Sequence, residues 1–118
     1  MTLFRAIPLG IHGVIEVIAA PVLIAAPFLL GFGPAAGAAS IALGTMLMGL
    51  ALSTHGEKRT IPLTAHAGFD YLIGSLAIAA GLALSFGSAP VVATAFLVGF
   101  GAAHMALTAS TRFSVRGA

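Results

Sequence analysis

The 118-residue chain contains no cysteine, and only 7% of its residues are charged. Each shortage excludes something. Without cysteine there is no disulfide, no iron–sulfur cluster and no thiol chemistry, and the redox state of the compartment is left open. A soluble domain carries about 25% charged residues, so too little charge is present to hydrate a globular surface. What fills the chain instead is apolar: 59% of residues, with a mean hydropathy of +1.12. Lipid is the solvent that suits such a surface. The net charge of +2 rests on five Lys and Arg residues. That is a bias toward a membrane surface and not the footprint of a nucleic-acid-binding protein.

Four apolar stretches are predicted to span, near Leu9–Phe32, Ala36–Thr54, Thr64–Phe86 and Val91–Thr111. Each has about the 20 residues that a helix needs to cross a hydrocarbon core. The breaks between them, GFGPAAG, GEKRTIP and SFGSAP, are made of turn residues. Pro8 and Pro62 sit where a first-turn proline forfeits no hydrogen bond. Arg5, Lys58, Arg59, Arg112 and Arg116 all fall before span one, between spans two and three, or after span four. The positive-inside rule then places both termini and the central loop in the cytoplasm. The basic start followed by an apolar run has the order of a signal peptide. Its length, the presence of Glu16 and a near-copy in mid-chain predict a retained helix instead.

That near-copy is the main internal regularity. IPLGIHGVIE at 7–16 reappears as IPLTAHAGFD at 61–70, and setting Ile7 on Ile61 aligns the halves without gaps to Gly33 and Gly87. IAAPFLLGFG at 24–33 falls on IAAGLALSFG at 78–87. The expected fold is therefore all-α: one membrane domain, 1–118, of four transmembrane helices built as two tandem hairpins, about 7–56 and 61–111. Both hairpins start from the same side, which makes them parallel repeats about an axis along the membrane normal.

With APFLLGF at 26–32 following IPLxxHGxxE, the chain resembles the SPW-repeat family of small bacterial membrane proteins. In that family a Ser-Pro-Trp motif lies in the first helix of a two-helix repeat, with a His-Gly-x-x-Asp-like element upstream in both copies. The motif here is Ala26-Pro27-Phe28, its second copy is Ala80-Gly81-Leu82, and no tryptophan occurs. His12 with Glu16 and His66 with Asp70 match the upstream element more closely. The resemblance implies a multi-pass protein of the bacterial inner membrane and brings no activity with it.

Residues four apart share a helical face, so His12 can meet Glu16 and His66 can meet Asp70. At 1.5 Å per residue these pairs lie about 7–15 Å inside the cytoplasmic edge, and His104, on the returning fourth span, about 12 Å inside it. His55, at the cytoplasmic end of span two, is a peripheral candidate. A charged side chain at the bilayer centre costs about 2.5–3.5 kcal/mol on insertion scales, so these groups should face the bundle interior and pair.

Several roles suit them. Polar side chains act as glue between helices in lipid, typically worth about 0.6 kcal/mol each. Two histidines and two carboxylates, with His104, also form a donor set for Zn, Fe or Mn rather than Cu(I). His12 and His66, or one of them with His104, are candidate haem ligands, with Arg5, Arg59 or Arg112 for the propionates. Histidine beside carboxylate also suits proton handling, although the outer half offers only Ser40, Thr45, Ser85, Ser88 and Thr94. The reading reached from sequence is a non-enzymatic membrane protein whose His/carboxylate cluster serves helix assembly or ligand binding. The alternative is a metal- or haem-binding redox or transport component, or a proton- or ion-handling subunit. The lipid bilayer is the expected partner. So small a bundle also suits a homo-oligomer or an accessory subunit of a larger complex.

Overall fold

The computed structural model describes residues 6–53 and 61–113. They form four α-helices: α1 (Leu9–Leu30), α2 (Pro34–Leu52), α3 (Leu63–Leu84) and α4 (Val91–Ala109). No strand occurs among the described residues, which contain one isolated bridge, Ile7 to Thr111. All four helices are long and apolar enough to cross a membrane, and the chain is a multi-pass membrane protein. His55 lies outside the described residues, as do Arg5, Thr54, Lys58, Arg59 and Arg116.

The helices stop about two residues short of the apolar stretches, and local chemistry says why. α1 ends where Gly31 enters the left-handed region (φ 66°, ψ 54°), which costs a residue without Cβ nothing. Phe32 N–H then turns back to the Pro27 carbonyl at 3.1 Å, and its ring is buried 5.5 Å from that of Phe96. Phe32 is apolar enough to read as span, yet it is the buried plug of a turn. Gly33, also at positive φ (79°), precedes Pro34 at the first position of α2. α3 ends as Ser85 Oγ donates to the Leu82 carbonyl at 2.5 Å, and Phe86 beyond it is almost wholly exposed.

α1 packs chiefly on α2 and α3 on α4, while α2 against α3 and α1 against α4 close the ring. The body measures 46 × 27 × 19 Å. Its middle is a dry core that includes Leu23, Leu43, Leu47, Ile73 and Leu97. A second apolar group, Ala26, Phe32, Ala36 and Ala93, closes the end at the α1–α2 turn. Outward-facing Ile11, Ile18, Phe28, Leu29, Leu82 and Val91 are exposed. In water this surface would aggregate, whereas hydrocarbon solvates it at no cost.

At the opposite end the chain is pinned to itself. Ile7 N–H donates to the Ser110 carbonyl at 3.0 Å, and Arg112 N–H donates to the Ile7 carbonyl at 2.9 Å. The start of α1 and the exit of α4 are thereby held side by side, directly above the polar cluster.

Candidate functional site

His12 and His66 occupy corresponding places on α1 and α3. Each begins its helix hydrogen-bonding behind a proline: His12 N–H donates to the Pro8 carbonyl at 3.1 Å, and His66 N–H to the Pro62 carbonyl at 2.9 Å. One turn on, Glu16 and Asp70 fall on the same helix faces, and both faces turn inward. α4 brings His104 to the same point. The structure therefore gathers His12, Glu16, His66, Asp70 and His104 at one centre, and all five are buried.

The geometry is tight. His12 Nε2 lies 3.0 Å from Asp70 Oδ2 and 3.0 Å from Glu16 Oε2. His66 Nε2 lies 3.2 Å from Glu16 Oε1 and 3.3 Å from Asp70 Oδ2. His104 Nε2 lies 3.1 Å from Asp70 Oδ1 and 3.6 Å from Glu16 Oε2. One ligand atom each from His12, Glu16, His66 and Asp70 fit within 4.8 Å of one another. Three ring nitrogens thus converge on two carboxylates from three different helices. The His12 and His66 rings meet edge to face at 5.8 Å, rather than in parallel.

Two atoms of the cluster are unpartnered. Glu16 Oε2 and His66 Nδ1 are buried without a hydrogen bond among the described residues. Glu16 Oε2 has His12 Nε2 at 3.0 Å and still accepts no hydrogen bond from it. A single Nε2–H serves one acceptor well, and Asp70 holds the better line.

Residues beyond the expected set complete the surroundings. Thr111 Oγ1 lies 2.8 Å from His12 Nδ1. The Phe113 ring covers His12 at 5.2 Å and His66 at 6.1 Å, and Phe100 stacks on His104 at 5.5 Å. Thr108 Oγ1 donates to the His104 carbonyl at 2.9 Å, which anchors that turn of α4. In the sequence Thr111 and Phe113 carry no spacing signal. They reach the cluster only because the exit of α4 is bridged to Ile7.

The arrangement has a definite electrostatic requirement. Two ionised carboxylates in a low-dielectric interior bring a charge of −2, which must be neutralised in place or removed by protonation. One divalent cation with three neutral imidazoles does so, and so do two imidazolium ions. Comparison with protein-family models, with curated proteins and with solved structures gives no match.

Proposed function

We propose that the chain is a small membrane protein whose His/carboxylate centre binds one divalent transition-metal ion. The observation that carries this reading is the convergence of buried ligand atoms within 4.8 Å, with His104 alongside at 3.1 Å from Asp70. Neutral imidazole nitrogen and carboxylate oxygen suit Zn, Mn or Fe, and the ion's charge cancels that of Glu16 and Asp70. Imidazolium ions alone would neutralise the centre yet leave Glu16 Oε2 without a hydrogen, whereas a metal gives that oxygen a partner. Ligand binding and assembly then become one role, because the ion ties α1, α3 and α4 together.

Two other readings are less well supported. A haem held by His12 and His66 needs a flat slot between their imidazoles, and the Glu16 and Asp70 carboxylates fill that space. Ion conduction needs free polar groups through the outer half. There Ser40, Thr45 and Ser85 each donate to a main-chain carbonyl and are spent on it.

The same reading takes the chain as an SPW-repeat-like protein of the bacterial inner membrane, with its hairpins duplicated and its termini cytoplasmic. It works in the bilayer as a homo-oligomer or as a subunit of a larger complex. A membrane-impermeant maleimide should label Ser88→Cys in intact cells, since the chain has no native cysteine. Labelling only after lysis contradicts that orientation.

The metal is tested on protein purified in mild detergent, stripped with chelator and reloaded. The wild type should retain about one ion per chain. His12→Ala with His66→Ala should lose it. Glu16→Gln with Asp70→Asn keeps the side-chain shapes, removes the charge, and should lose the metal while helix content persists. A wild type that takes up no Zn, Mn or Fe overturns the reading and leaves the cluster as interhelical registry alone.

A further inference from the structure

His12 differs from His66 in one respect that bears on metal binding. The outer nitrogen of His66, Nδ1, has no partner among the described residues, whereas that of His12 faces Thr111 Oγ1 at 2.8 Å. A threonine hydroxyl has one hydrogen to give. Thr111 gives it to the Leu107 carbonyl, at 2.6 Å. That carbonyl sits in the last turn of α4, where helical donors run out. The main-chain N–H of Thr111 bonds Thr108 instead, at 3.2 Å, and the hydroxyl joins the Ser110 N–H, at 3.2 Å, on the Leu107 carbonyl.

With its hydrogen committed, Thr111 Oγ1 can only accept from His12. Nδ1 of His12 therefore carries a proton, and Nε2, which donates to Asp70 Oδ2 in the metal-free centre, is the ring nitrogen that can give up its hydrogen to an ion. The threonine itself is held in place. It is fully buried, and the bonds from Ile7 to Ser110 and from Arg112 to Ile7 fix the backbone on either side of it. The Phe113 ring packs edge to face on His12 and resists rotation of the imidazole.

We infer that Thr111 is a positioning residue for the metal centre: by accepting the Nδ1–H of His12 it presents the Nε2 lone pair of that ring to the ion. The inference rests on the metal reading above. Outer partners of this kind fix the tautomer and orientation of a ligating histidine, and losing one typically costs about 10–100-fold in metal affinity. It also gives the bridged exit of α4 a purpose, since that bridge sets the place of the hydroxyl.

The test compares wild type, Thr111→Ser and Thr111→Val by Co2+ titration in detergent, followed through the visible absorption of the bound ion. Valine matches threonine in size and cannot accept the Nδ1–H. It should weaken Co2+ binding about 10–100-fold, with serine close to wild type. A valine variant that binds Co2+ as tightly as wild type overturns the inference, and so does a serine variant as weak as valine. Nitrogen-15 spectra of metal-free wild type supply a readout that does not depend on any variant folding. Nδ1 of His12 should carry a proton there, and a bare Nδ1 contradicts the assignment. If the wild type binds no Co2+ at all, the metal reading fails, while the nitrogen spectrum still decides whether Nδ1 is protonated.

Discussion

Pro27 has no N–H to offer the Leu23 carbonyl one turn back, and a bare carbonyl in hydrocarbon is costly. Ser40, buried on α2, supplies a hydroxyl at 2.6 Å in its place. The proline of the Ala26-Pro27-Phe28 segment therefore has a partner on the neighbouring helix, and the two should be energetically coupled. Ser40→Ala should destabilise the wild type by about 1–3 kcal/mol, the cost of an unsatisfied buried acceptor. In a Pro27→Ala background the restored main-chain N–H can reach the Leu23 carbonyl, and there the same substitution should cost less than about 1 kcal/mol. Unfolding in detergent measures both, and equal costs in the two backgrounds refute the pairing. Much at this scale was legible beforehand. A histidine and a carboxylate four apart can hardly avoid sharing a face, and the expense of burying them predicts that they turn inward together. Pro27 in mid-helix announces an orphan acceptor at Leu23. The donor that answers it, and the threonine that steers His12, were not legible. Ser40 lies on another helix and Thr111 just beyond the end of α4, and the crossing that brings His12 to Thr111 spans 99 residues of sequence.

Among the elements, the pairing of α3 with α4 is the closest, and glycine permits it. A Cβ built on Gly101 would come within 2.5 Å of the Gly74 carbonyl oxygen and 2.6 Å of Ile78 Cγ1, and one on Gly74 would meet Met105 Cγ at 2.5 Å. Two helix backbones therefore touch without an intervening side chain, the usual means of association where lipid removes the hydrophobic drive between helices. Gly101→Ala should force α3 and α4 apart at a cost of about 1–3 kcal/mol. Gly99→Ala, on the same helix with nothing within 4 Å, should be neutral or slightly stabilising through helix propensity. Thermal unfolding of the two variants in detergent separates them, and similar losses would show that the α3–α4 contact is not what glycine serves. The four helices themselves were legible in hydropathy and turn residues. Hydropathy puts their ends about two residues too far, because it counts Phe32 and Phe86 as span and is blind to the left-handed turn at Gly31. Glycine content likewise announces close packing without saying which glycines meet.

The whole molecule is divided along its length. One end and the middle are dry, built from aliphatic side chains, Phe32 and small residues. The other end concentrates three histidines and two carboxylates under a roof made by Phe113 and the bridge from Ile7 to Thr111. A bundle this small gains little from burial between its own helices, so a polar centre shared by α1, α3 and α4 is an unusually large part of what relates the two hairpins. Turned outward, each carboxylate would keep only the histidine of its own helix as a partner in oil. Their convergence is what lets a single ion, as proposed, neutralise both carboxylates. The measurement that tests this most directly is X-ray absorption at the metal edge of Zn-loaded wild-type protein. The account predicts a first shell of nitrogen and oxygen ligands at about 2.0–2.2 Å, with the outer-shell scattering of more than one imidazole, lost in the Glu16→Gln, Asp70→Asn variant. A spectrum of hydrated zinc without imidazole scattering, or one unchanged by that variant, would contradict it.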